Sequence, residues 1–152
     1  MNGVIFYQDE FHNEKHSYND FGLVLNSKEI TLPEPKTYII DVPSSNGSID
    51  LSTALTGGEI KYHNRTVKMF FTVMKPWDEL ESVKSTIATY LHGKVMDIIF
   101  DADSNFYYKG RCKISSFNTN EYPATMTVEV DAEPYKYNRA ETGIGAMMVN
   151  TT

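Results

Sequence analysis

The sequence predicts a mainly β domain with one amphipathic helix lying on a sheet, and three observations predict it. Only one stretch, Lys75 to Lys94, carries apolar residues at helical spacing. Short runs of alternating apolar and polar residues stand on both sides of it. Turn formers, among them Pro33, Pro35, Pro43 and the Asn46-Gly47 pair, punctuate the remainder. A chain of 152 residues suits one domain with a real core.

Val4 to Tyr7 is a short apolar start that reads as a first strand. Gln8 to Asn19 is polar and reads as a loop; its His12 and His16, four apart, would suit a metal only on a helix. Asp20-Phe21-Gly22-Leu23 places an aromatic and a glycine at a turn entering a strand, and Glu29 to Leu32 is a second short run stopped by prolines. Lys36 to Val42 alternates Tyr38, Ile40 and Val42 against Thr37, Ile39 and Asp41. Asn46-Gly47 is then the strongest hairpin signal in the chain. Residues 43 to 64 hold few core formers and read as an extended arm that packs on something else or stays mobile.

Thr66 to Val73 is the clearest central strand, with Val67, Met69, Phe71 and Val73 on one face. Phe70 departs from the polar face, which fits either core or a subunit contact. In the helix, Trp77, Leu80, Val83, Ile87 and Leu91 form the apolar stripe, Pro76 suits the first turn, and Gly93 suits a left-handed stop. Its length is roughly 24 Å. Val95 to Phe100 is almost wholly apolar and reads as a buried strand. Phe106 to Ile114 follows with a basic outer face and Gly110 as a candidate bulge. Ala124 to Ala132 answers it with an acidic outer face, so the two pair well.

Several chemistries are excluded. Asp101, Asp103 and Asn105 open like a calcium loop, but Phe106 stands where glycine is required and Cys112 where a glutamate belongs, so this reads as a turn. Cys112 is the only cysteine, which rules out an internal disulfide and a thiolate-rich zinc site. Phosphate-cradling glycine motifs, the zinc-hydrolase helix motif and the serine elbow are absent. No catalytic, cofactor-binding or metal-ligating residue is assigned, and no enzyme is predicted. A net charge of −6 argues against binding through nucleic acid phosphates. No apolar run approaches the roughly 20 residues that span a bilayer, and the N-terminus lacks a secretory pattern, so a cytoplasmic product is expected.

The order of local signals carries a resemblance. Asp20-Phe21-Gly22-Leu23, Asn46-Gly47-Ser48-Ile49-Asp50-Leu51, Tyr62, Asn64-Arg65, Trp77, Leu91-His92-Gly93-Lys94, Tyr107-Tyr108-Lys109-Gly110-Arg111 and Glu133-Pro134-Tyr135-Lys136-Tyr137 occur in sequence. Together they resemble the N-terminal domain of phage distal tail proteins, tail components of long-tailed phages and prophages of Gram-positive hosts. The resemblance covers residues 1–137, and 138–152 would be a tail or linker. It implies a split β-barrel or β-sandwich with one flanking helix and a belt-like β-hairpin arm.

It further implies a homo-hexameric ring at the distal end of the virion's tail. The ring would dock the tail tube protein on one face and carry the tail-tip and receptor-binding proteins on the other, with DNA passing only through its lumen. Ile49 and Leu51 in the arm and Phe70 on the strand are the expected interface residues. Phe21, Gly22, Trp77, Gly93, Tyr108, Gly110, Pro134 and Tyr135 are expected to determine the fold. Many such proteins continue into a galectin-like or carbohydrate-binding domain; this sequence runs about fifteen residues past the last motif, so no host-sugar role is carried over. The alternative from the residues themselves is a monomeric sugar-binding β-sandwich that stacks glycans on exposed tyrosines such as Tyr107 or Tyr135.

Overall fold

Alternation becomes structure most directly in the central strand, where Val67, Met69, Phe71 and Val73 are all at most 1% exposed. A computed structural model of the chain describes residues 3–8, 13–44, 46–54 and 56–138. The fold is mainly β. Its elements are β1 (Val4–Gln8), β2 (Asn13–His16), α1 (Ser17–Phe21), β3 (Leu23–Ile30), β4 (Ile39–Asp41), β5 (Ser48–Asp50), β6 (Arg65–Val73), α2 (Leu80–Leu91), β7 (Val95–Phe100), β8 (Phe106–Asn118), β9 (Ala124–Ala132) and β10 (Tyr137–Asn138). The expected tail lies outside the described residues beyond Asn138.

One antiparallel sheet runs β2-β1-β7-β8-β9-β6-β3, with β10 continuing alongside the start of β8. Val4 and Phe6 from one end of this order and Leu23 from the other belong to the same buried cluster, so the sheet curls over itself. Helix α1, five residues long, joins the two edge strands β2 and β3 and spans the split. Helix α2 lies on the concave side, with Leu80, Ile87 and Leu91 buried. Tyr90 on the same helix donates its hydroxyl to the Phe6 carbonyl at 3.1 Å and packs its ring against Phe21 at 5.6 Å. This is the curled mainly β fold with one flanking helix that the sequence predicts.

Four local expectations are corrected. The polar stretch after β1 is not all loop: among its described residues, Asn13–His16 form an edge strand and Ser17 opens α1. The His16 ring caps that helix, its Nδ1 accepting from the amides of Tyr18 and Asn19, and Gly22 closes it in the left-handed region at φ 70°. Glu29–Leu32 is no separate run, because Glu29 and Ile30 end a single strand interrupted by a bulge between Leu25 and Ser27.

Trp77 leaves the helical stripe and is 60% exposed, since Trp77–Glu79 form a 3-10 turn whose tighter winding rotates it out of phase with α2. Gly110 is no bulge either. It sits in regular register opposite Ala132, and the shift in β8 falls between Ile114 and Ser116. A glycine is needed at 110 because any Cβ there would press into the Asp131 carbonyl.

Candidate assembly interface

The chain leaves the sheet after Ile30 and returns at Arg65, and what lies between is an arm with its own hydrogen bonds. Its stalk is held by Lys36 donating to the Lys61 carbonyl at 2.7 Å and His63 donating to the Glu34 carbonyl at 2.8 Å, with a bridge between Pro35 and Tyr62. Above the stalk, β4 and β5 form a separate two-stranded sheet. Pro33 and Pro35 before it and Pro43 after β4 explain the separation, because proline cannot continue a ladder. The arm therefore begins about ten residues earlier than the composition shift at Pro43.

The hairpin register makes it two-faced. Ile40 stands opposite Ile49 and Ile39 opposite Asp50, while Leu51 donates to the Tyr38 carbonyl at 2.7 Å. Tyr38, Ile40, Ile49 and Leu51 consequently share one face, and Asp41, Ser48 and Asp50 share the other. The apolar face is open: these four side chains are 61%, 38%, 50% and 37% exposed. The polar face is internally satisfied, with the Ser48 hydroxyl on Asp41 and the Ser52 hydroxyl on Asp50. Those contacts from Ser52 hold the Asp50 carboxyl below its ordinary pKa.

Ile49 and Leu51 thus lie on the exposed apolar face. Tyr38 and Ile40 join them there, whereas Ile39 lies on the other face across from Asp50; alternation alone does not separate an open face from a covered one, and the prolines on either side are the available signal. Phe70 lies elsewhere, half-buried on the outer face of the main sheet, opposite Thr127 of β9 and Ser27 of β3.

The arm's root is the most polar part of the interior. Arg65, 2% exposed, donates through Nε to the Pro134 carbonyl at 3.1 Å and places its guanidinium over the Tyr108 ring at 5.5 Å. Burial lowers the Arg65 pKa and raises that of Tyr108. Lys136, 1% exposed, is ion-paired with Asp103, and Lys28 lies over the Phe100 ring at 4.2 Å. Pro134 therefore ties the segment after β9 to the strand that carries the arm, and Lys136 ties the same segment to the turn after β7. Tyr135 between them is half-buried, and Gly93 follows α2 at φ 79°.

The remaining reactive groups are occupied. His16 contacts Asp101 through Nε2 at 2.7 Å, so with Nδ1 accepting from backbone both ring nitrogens are engaged; its sequence partner His12 lies outside the described residues. Asp101 and Asp103 hold separate partners, His16 and Lys136, a pairing that no local pattern announces. Burial raises the Cys112 thiol to about 12, which leaves no thiolate near neutrality. Tyr107 stacks on Tyr137 at 5.3 Å, so one of its ring faces is taken. Among the described residues no group of three or more His, Cys, Asp or Glu is placed to hold a metal, and no helix is long and apolar enough to cross a membrane.

The sequence matches no protein-family profile and no curated protein. Among solved structures, the fold is similar to the crystal structure of the SPP1 Dit protein, described as a paradigm of the hub adsorption apparatus in phages infecting Gram-positive hosts. The TM-score is 0.64 at 11% identity, covering 91% of this chain and 52% of that one. The chain thus spans about half the length of that protein. Two gene transfer agent structures are more distant. One is the tail of an empty particle (TM-score 0.45, 12% identity, 99% and 96% covered), the other the native virion (0.47, 11%, 96% and 95%).

Proposed function

We propose that this chain is a structural subunit of a phage tail tip, without catalysis, which assembles into a six-membered ring through its arm. In this reading residues 1–137 are the ring-forming domain, and the ring joins the tail tube to the tail-tip and receptor-binding proteins at the distal end of the virion's tail. Gram-positive hosts follow from the sequence resemblance. One observation carries the proposal: the arm forms a hairpin whose apolar face its own chain leaves between 37% and 61% exposed. Leaving those side chains in water forfeits about 1 kcal/mol or more each, which a neighbouring copy would recover. The likeness of the fold to a tail hub protein supports the same reading.

The test shortens the arm while keeping its stalk. Replacing residues 38–59 by two glycines preserves the hydrogen bonds of Lys36 with Lys61 and of Glu34 with His63. The expected outcome is a folded monomer by circular dichroism and light scattering. A shortened protein that still forms the ring contradicts the proposal.

A further inference from the structure

The arm needs a receiving surface, and the opposite end of the molecule offers one. Among the described residues eleven large hydrophobic side chains are exposed, and six of them lie between Leu32 and Leu51. Three more, Met74 (55%), Trp77 (60%) and Tyr122 (63%), gather where β6 ends and β9 begins. The Trp77 and Tyr122 rings meet edge to face at 6.4 Å, so each orients the other. The patch adjoins the paired ends Val73 of β6 and Ala124 of β9, whereas the arm leaves at the other end of the same ladder, beside Ile30 and Arg65.

We infer that Met74, Trp77 and Tyr122 receive the apolar face of the arm from the next copy of this chain; the inference rests on the arm-mediated ring proposed above. Four features of the molecule carry it. An arm at one end and a receptor at the other make a heterologous contact, the kind that repeats head to tail and closes into a ring. The reach is adequate: from Glu34 to the hairpin tip the arm extends on the order of 35 Å, and the nine residues of β6 span about 30 Å. The seven side chains concerned expose on the order of 750 Å² together, a small contact that repetition around a closed ring reinforces.

The fourth feature is charge. The patch is rimmed by exposed Asp78, Glu79 and Glu121, which would repel an acidic partner. On the arm, Asp41 and Asp50 sit on the face opposite Tyr38, Ile40, Ile49 and Leu51 and are hydrogen-bonded to serines. The face that docks therefore carries no carboxylate from the hairpin strands.

The test places cysteines at Ile49→Cys and Tyr122→Cys together and treats the intact chain with a short bis-maleimide. The native Cys112 is fully buried and stays silent. A ladder of covalently linked copies is expected from the double variant, with no ladder beyond dimer from either single variant. Trp77→Ala should raise the concentration needed for half-assembly by about tenfold or more, as loss of an aromatic anchor does. If the double variant gives no ladder while the arm-shortened chain still loses its ring, the arm docks elsewhere and the inference fails alone. If the shortened chain keeps its ring, or the intact chain is a monomer throughout, the ring reading fails and takes the inference with it.

Discussion

Strand β6 and the arm hairpin share one sequence pattern and meet opposite fates. Both alternate apolar with polar residues. In β6 the alternation ends in a core, with every second side chain from Arg65 to Val73 at most 2% exposed. In the hairpin the same alternation leaves Tyr38 61% and Ile49 50% exposed. The difference lies in what each strand can pair with: β6 is flanked by β3 and β9, whereas prolines isolate β4 and β5 from the sheet. Alternation specifies a two-faced strand, and the surrounding chain decides whether its own fold covers the apolar face.

That contrast is breakable by substitution. Phe71→Ala in β6 should cost about 3–5 kcal/mol of stability by chemical denaturation, because it empties a core site that is 1% exposed. Asp103→Asn should come next, at about 2–3 kcal/mol, since it removes the partner of the buried Lys136 ammonium while Asp103 itself retains some solvent access. Tyr90→Phe removes the hydrogen bond to Phe6 and should cost about 1 kcal/mol.

The Tyr90 hydroxyl also gives a pH signature. Burial raises its pKa to about 12 from an ordinary 10, so between these values the unfolded chain loses that proton first. Its contribution is complete below pH 10 and falls as pH rises toward 12; Tyr90→Phe should lose that part of the alkaline decline. The smallest effect belongs to the arm. Ile40→Ser should change monomer stability by less than about 0.5 kcal/mol, despite its apolar parent, because no core is disturbed.

Legibility followed the length and regularity of each element. Helix α2 and strands β6, β8 and β9 are long enough for their periods to show, and the pairing of basic β8 with acidic β9 appears as Lys113 near Glu129, which Lys68 of β6 approaches from the other side. Helix α1 was not legible, because five residues give no periodicity and its N-cap is a histidine ring. The bulge in β3 put Lys28 on the inward face and split one strand into two apparent runs. The ion pair of Lys136 with Asp103 joins residues far apart in sequence, and no single-sequence pattern reports such a contact. Of the candidate interface, Ile49 and Leu51 were readable from an arm too poor to make its own core. Tyr122 was not, because only the pairing of β9 with β6 brings it beside Trp77.

The most direct measurement is the mass of the intact chain by light scattering over a wide range of concentration. The account predicts a species near six times the 17.3 kDa of one chain, growing at the expense of monomer as concentration rises. A strict monomer at the highest concentration would contradict it.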